Sequence, residues 1–432
     1  MVEPRIEFVN HASVVVDDGQ GTRLLTDPWL DGLVFNNGWA LLSRSAFGPA
    51  DFESITHIWI SHEHPDHFHP ATLKRIPEAR RAQIVLLYQH APDLAAAHEI
   101  KAFCAKLGFR EFMELPAGQH VSVGANLEIL CRPHMWGDSW CHLRLPRGPG
   151  GRPWSIFNAN DCEWETPAAG AHVFAELGPV DVLMMQFSYA CWYPDRAARR
   201  READRLIERL VMMTEASEAR FVIPFASFVR FCHEDNGHMN DEMNKVHRAA
   251  EAIESRTRAR AVALYPGDVW TLGHDPAGAE ALRRYGQDYA QVAGASLMRD
   301  NAGVPLDELE RKLSAFWERH RTPDAAGSGP DLRLFLWDLQ VAVEWCGTRL
   351  AVVAASEADC DIALASSSLA FLFDARWGIA TLSVNARYRL PARSRLPSLS
   401  AIELAVVRAL GRRDWLVAGS VSTAAYGSVP EP

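Results

Sequence analysis

Short apolar runs broken by turn residues dominate the first two thirds of the chain. Residues 5–9, 13–16 and 23–26 read as compact strands, with Asp17-Asp18-Gly19 supplying a turn. Further strands are predicted over 56–60, 83–88, 126–131, 142–145, 155–158, 180–185 and 221–223. Apolar positions recur every three to four residues over 94–107, 199–213, 241–255 and 306–318, which predicts helices there. Strands in bursts, separated by single helices, imply a layered α/β arrangement with sheets in the middle. The run 196–209 (RAARRREADRLIER) reads as a solvated helix face with Arg/Glu pairs.

Residues 322–330 (TPDAAGSGP) form the clearest linker, since Pro, Gly and Ser resist regular structure. It divides a domain at 1–321 from a small α+β unit at 331–432. In that unit 332–343 and 348–353 read as a hairpin around Cys346-Gly347, 363–373 as an apolar helix, 381–388 as a strand and 398–410 as a closing helix.

Composition narrows the class. At 432 residues the chain is too long for one core. Its 48% apolar and 23% charged residues are those of a globular protein. Lys+Arg 44 against Asp+Glu 54 gives a net charge of −10, the wrong sign for a protein that mainly neutralises nucleic-acid phosphates. The eight cysteines are scattered without a CxxC, as expected of small buried apolar residues rather than a disulfide framework. The first residues, MVEPRIEFVN, hold no apolar segment of a secretion signal, and no uncharged run approaches the roughly 18 residues of a bilayer-spanning helix. A cytoplasmic, membrane-free location is the expectation.

The chemistry concentrates in residues 58–67 (IWISHEHPDH), where an apolar strand runs into a loop with three histidines and one aspartate in six positions. Imidazole and carboxylate are ligands for borderline divalent metals, and a rigid loop fixes their angles. His62 and His64 can face one metal, while Asp66 and His67 can face a neighbour.

This HxHxDH loop resembles the signature of the metallo-β-lactamase superfamily, and Asn10-His11-Ala12-Ser13 and Thr26-Asp27-Pro28 resemble flanking elements of that family. The resemblance covers roughly residues 5–270 and implies a four-layer αββα sandwich holding two divalent metals. It implies His62, His64 and His134 on one metal, Asp66, His67 and His233 on the other, and Asp161 as the bridge. It further implies that Asp27 supports the metal loop from behind. Three rivals stand beside these assignments: His142 for His134, His238 for His233 and Asp138 for Asp161. Thr26-Asp27-Pro28-Trp29-Leu30, Asn160-Asp161-Cys162 and residues 224–236 are most similar to the branch containing the catalytic domain of CMP-N-acetylneuraminate hydroxylase and related di-iron thioester hydrolases. The Rieske spacing of that hydroxylase is not completed here, because Cys131-Arg132-Pro133-His134 is a lone CxxH with no CxH before it.

The expected activity is a dinuclear metal hydrolase using a metal-bound hydroxide, with Asp66 and Asp161 as its catalytic carboxylates. No GxSxG elbow offers a serine instead. The expected substrate is an acyl thioester, ester or amide with a bulky, partly apolar acyl group, CoA- or carrier-linked. Branch resemblance favours iron, and the same donors suit zinc or manganese. The alternative is a non-haem di-iron oxygenase served by an external reductase. Trp29, Trp39, Trp136, Trp140, Trp154, Trp164 and Trp192 lie near the ligand-bearing strand ends, and residues 32–50 follow the first of them, so an apolar wall is expected. The C-terminal unit is similar to sterol-carrier-like domains. Its pattern equally suits a lid or a dimerisation module, the latter implying a homodimer.

Overall fold

A computed structural model describes residues 2–90, 95–147, 151–300, 302–323, 329–375, 378–396 and 398–411. Two seven-stranded sheets lie face to face. The first runs, edge to edge, Val269–Thr271, Arg5–Asn10, Ser13–Asp17, Arg23–Thr26, His57–Ile60, Val85–Gln89 and Glu111–Leu115. The second runs Arg260–Ala261, Phe221–Phe225, Val182–Gln186, Trp154–Asn160, Ser139–Leu145, Leu127–Pro133 and His120–Val123.

The period of two along each strand sorts side chains between layers. Leu24, Trp59 and Leu87 join the core between the sheets, where they meet Ile129, Cys131, Ile156 and Val182. Their neighbours Leu25, Ile58, Ile60 and Leu86 point the other way, against Leu73, Ile100 and Cys104 of the helices Pro70–Arg75 and Ala95–Lys106. On the outer face of the second sheet lie the helices Pro167–Leu177, Arg196–Ser217 and Val246–Arg256, which contribute Phe174, Leu210 and Ile253 to the same central core. The layering is the expected αββα sandwich. The helix Arg196–Ser217 is less solvated than its charge suggests. Arg199 and Arg209 turn inward, Arg199 in a two-pronged bond to Asp241 and Arg209 onto Glu163 at 2.6 Å.

Topology places the site. Arg23–Thr26, His57–Ile60 and Val85–Gln89 pair in parallel, as do Trp154–Asn160, Val182–Gln186 and Phe221–Phe225. Loops leaving the carboxyl ends of parallel strands gather at one edge of a sheet, where open α/β folds bind ligands. Asp27, the HxHxDH loop and Asp161 all sit on such loops.

The C-terminal unit departs from its predicted outline. The helix Leu306–His320, upstream of the linker, packs Leu309, Leu313, Phe316 and Trp317 into a second core with the strands Leu332–Leu336, Val341–Cys346 and Arg349–Val353. That helix therefore belongs to the C-terminal core. The long strand expected over 332–343 is broken at residues 337–340, where Gln340 takes a left-handed φ of 52°. Residues 363–373 divide into the strand Ile362–Leu364 and the helix Ser366–Asp374. Residues 381–388 are not a strand: Gly378–Asn385 is a helix, and only Tyr388–Arg389 pairs in the sheet. Its buried positions Gly378, Leu382 and Asn385 follow helical spacing, which the alternation of Leu382, Val384 and Ala386 conceals. Residues 412–432, part of the predicted unit, and 324–328 of its linker lie outside the described residues. Among the described residues no helix is long and apolar enough to cross a membrane.

His142, one of the rival ligands, is buried in the second sheet, with Nε2 2.7 Å from Ser155 Oγ and Nδ1 2.9 Å from His120 Nε2. Burial, then the neighbouring His120 and Arg144, lowers its pKa to about 3. The unfolded chain titrates near 6.5, so folding favours the neutral ring. Its contribution is complete above pH 6.5 and is lost as pH falls toward 3, up to a ceiling of about 5 kcal/mol. His142→Gln, which cannot take up the proton, is expected to lose less melting temperature than wild type between pH 7 and 4. Parallel melting curves against pH would contradict this.

Candidate metal centre

Asp27 organises the centre. It follows the strand Arg23–Thr26 in a left-handed turn (φ 35°), fully buried, and its backbone N–H donates to Trp59. Its Oδ1 accepts from the Ser61 N–H at 2.8 Å. Its Oδ2 accepts from Ser61 Oγ and Asn160 Nδ2, each at 2.7 Å, and lies 3.0 Å from His67 Nδ1. A carboxylate on Nδ1 fixes the tautomer in which that nitrogen carries the proton, leaving His67 Nε2 as the free donor atom. Three loops are thereby held by one side chain.

His67 Nε2 lies 3.0 Å from Asp161 Oδ2 and 3.4 Å from Asp66 Oδ2, and His11 Nε2 reaches the same Asp66 oxygen at 3.2 Å. Beside them, His62 Nδ1 is 2.9 Å from Ser61 Oγ. Its Nε2 faces His64 Nδ1 at 2.8 Å, Asp138 Oδ1 at 3.5 Å and Asp161 Oδ2 at 3.8 Å. Two adjoining groups result, His11–Asp66–His67 and His62–His64–Asp161, each with ligand atoms close enough for one cation.

The charges in this cluster are mutually dependent. Burial opposes ionisation of Asp66, but His67 and His11 outweigh it and hold the carboxyl well below its usual range. Burial likewise opposes a charge on His67, and the carboxylates of Asp161 and Asp66 reverse that effect, raising it well above the usual imidazole value. His62 moves far down through burial and the neighbouring His67 and His64. Asp138 is pushed up to about 7, chiefly by burial.

The donors fit metal ions. Asp66 Oδ1, His67 Nε2 and Asp138 Oδ1 are buried without a hydrogen-bond partner. Buried polar atoms are normally satisfied, and leaving one bare costs about 1–3 kcal/mol. Convergence of unpaired lone pairs on one another is the arrangement a cation relieves.

Of the residues expected as ligands, the structure brings together His62, His64, Asp66, His67 and Asp161. His134 is placed elsewhere: its Nε2 is 2.8 Å from the Glu163 carbonyl and its ring packs on Trp164. The short turn Met135–Gly137, with Gly137 at φ 90°, instead carries Asp138 to the cage. Gln89 Nε2 donates to the Gly137 carbonyl of that turn, and the following Ser139 Oγ donates to the Ser61 carbonyl, at 2.7 Å each. His233 joins a different group, with Nδ1 3.1 Å from Asp235 and Nε2 3.4 Å from Asp300. His238 is exposed in the turn Gly237–Glu242.

His11 entered the sequence reading only as part of a turn motif. Its left-handed φ of 41°, uncommon for a residue with a side chain, turns the ring back over the cage with its edge against Trp29. Trp29 is the tryptophan that reaches the centre. Trp154 belongs to the inter-sheet core, Trp140 lies on the outer face of the second sheet against Phe157, Trp164 lies under His134, and Trp192 packs on Tyr388. The side chain of Trp136 lies outside the described residues. From the 32–50 segment, Leu33–Val34 and Trp39–Leu41 pair with Val229–Phe231 into a small sheet beside the cage, and Phe35 meets the His64 ring at 6.1 Å.

Comparison with known proteins agrees with this geometry. Residues 5–128 match the profile of the beta-lactamase superfamily domain. A protein of Mycolicibacterium smegmatis named as a Rieske 2Fe-2S iron-sulfur protein is 27% identical over 260 residues, covering 55% of this chain and 46% of its own length. One of Mycobacterium tuberculosis with the same kind of name is 26% identical over 332 residues, covering 72% of this chain and 56% of its own. The chain thus spans about half the length of these curated relatives. Among solved structures, a mutant of CmlA beta-hydroxylase is similar over 63% of this chain and 54% of its own, at 19% identity and a TM-score of 0.42. The match places residues 5–128, which carry most of the first sheet and the HxHxDH loop, in the beta-lactamase superfamily domain.

Proposed function

We infer that the chain is a dinuclear metal hydrolase acting on an acyl thioester or related ester. His62, His64 and Asp138 would hold one cation and His11, Asp66 and His67 the other, with Asp161 between them. Two cations so held supply Lewis acidity and an acidified water. The supporting observation is the uneven exposure of the donors. The Asp161 side chain is 26% exposed, against 4% or less for His62, Asp66 and His67. Substrate therefore approaches the cage past Asp161.

The protein's own groups perform the remaining work. Asp27 holds His67 by Nδ1 and so aims Nε2 at the cage, Ser61 does the same for His62, and Gln186 Nε2 steadies the Asp161 carbonyl at 3.2 Å. Trp29 and Phe35 give the neighbouring wall its apolar character, which supports a partly apolar acyl group.

A second reading has its own observation. Each half of the donor set comprises two imidazoles and one carboxylate, the set used by non-haem iron oxygenases. Iron is accordingly the favoured metal, and oxygen chemistry with an external reductant the alternative activity.

Two experiments separate these statements. Asp138→Ala and His11→Ala are each expected to lower bound metal from two equivalents toward one, whereas His134→Ala and His233→Ala retain two. The opposite pattern by elemental analysis would reinstate His134 and His233 as ligands. Asp161→Ala is expected to abolish thioester cleavage and lower metal content, while wild type turns over under nitrogen without reductant. Turnover that requires oxygen and an electron donor would instead establish the oxygenase.

A further inference from the structure

Phe35, Asn36 and Asn37 are three successive residues with left-handed φ values of 51°, 53° and 58°. Side-chain-bearing residues disfavour this region, most of all a bulky one such as Phe35, so the surrounding structure must impose it. The imposing groups come from far along the chain. Asn385 Nδ2 donates to the Phe35 carbonyl at 3.1 Å and Arg387 Nη1 to the Asn36 carbonyl at 2.8 Å. Cys232 Sγ reaches the Asn37 carbonyl at 3.3 Å, and Asn236 Nδ2 donates to the Gly38 carbonyl at 2.9 Å. Asn236 Nδ2 also donates to the Asn385 carbonyl at 2.6 Å, which locks the two clamping segments together. Gly38 is required by this approach, because a Cβ there would stand 2.5 Å from that of Asn385.

Arg387 is fully buried and charge-balanced, with Nε 3.1 Å and Nη2 3.0 Å from Asp235 and a short ion pair to Asp300. It occupies the position a cation would take beside His233, Asp235 and Asp300. That acidic group is therefore explained by the arginine rather than by a third metal.

We propose that Arg387 is a positioning residue for the metal cage: from the C-terminal unit it holds the 35–38 turn closed, and so keeps Phe35 against the ring of His64. Phe35 transmits the constraint through its edge-on contacts with His64 at 6.1 Å and Trp39 at 4.7 Å between ring centroids. Trp39 is itself anchored to the same unit, its Nε1 donating to the Val384 carbonyl at 3.2 Å. This reading rests on His64 being a metal ligand.

The test is cobalt(II) titration of the full chain, followed by visible absorption and the dissociation constant. Arg387→Ala is expected to weaken cobalt binding about 10–100-fold, the usual range for groups that orient a ligand, and to shift the visible band. Arg387→Lys, which keeps the charge but not the several directed bonds, should fall between it and wild type. Phe35→Ala should reproduce the defect, and the Arg387→Ala, Phe35→Ala double variant should be no worse than Phe35→Ala alone. Arg395→Ala, which breaks an ion pair to Asp361 in the same unit, should bind cobalt as wild type does. A folded Arg387→Ala with the wild-type spectrum and affinity overturns the proposal, as does simple addition of the two defects. Should Arg387→Ala not fold, Asn385→Ala carries the test, and wild-type cobalt binding by it overturns the proposal equally. Absence of cobalt binding by the wild-type chain would overturn the metal-centre reading itself, a result distinct from any of these.

Discussion

The fold hangs its chemistry on one buried carboxylate. Asp27 is fully buried, and Ser61, Asn160 and His67 surround its side chain with donors. Those donors belong to loops at the ends of strands in both sheets. Satisfying Asp27 therefore brings the sheets into register at this edge. The same bonds turn His67 Nε2 toward the cage and set Ser61 against His62. A residue without two acceptor oxygens would leave some of these four partners unpaired, and the loops would lose their common anchor.

Around that anchor the polypeptide assembles more lone pairs than it can pair. Asp66, Asp138 and Asp161 converge on four imidazoles, and several of the atoms are buried without partners. Protons can relieve part of this, as the raised Asp138 and the opposed shifts of His62 and His67 indicate. A proton answers one lone pair, whereas a divalent cation answers several at once. The cluster is thus built at a local cost that cations remove, in a sandwich whose two apolar cores supply the stability to hold it.

What the sequence makes legible follows from how local each signal is. The strands and the HxHxDH loop are contiguous patterns, and they appear where the periodicity and the motif put them. Asp27 and Asp161 each directly follow a strand, and both reach the cluster. His134 also lies at a strand end but its ring turns to the Glu163 carbonyl, since proximity to a strand end is not direction. One short turn with a left-handed glycine moves Asp138 into the place expected of it. His11 was hidden for the same reason, since its reach depends on a left-handed φ that no periodicity reports. In the C-terminal unit the segment 381–388 alternates like a strand, and tertiary burial of Gly378, Leu382 and Asn385 decided for a helix. Long-range pairings such as Arg387 with Asn36, 351 positions apart, leave no local trace at all.

That last class of contact changes how the two units relate. A lid or a dimerisation module touches an active site from outside and can leave without altering it. Here Asn385 and Arg387 supply the partners for backbone carbonyls of the turn that adjoins His64, the Val384 carbonyl accepts from the Trp39 indole, and Ala386 is buried in the same apolar cluster as Trp29, Phe35 and Trp39. A backbone held in an unfavourable region relaxes once its external partners are removed. The cage wall is accordingly shared between the units, and the second core contributes to the first unit's chemistry through the shape of one strained turn.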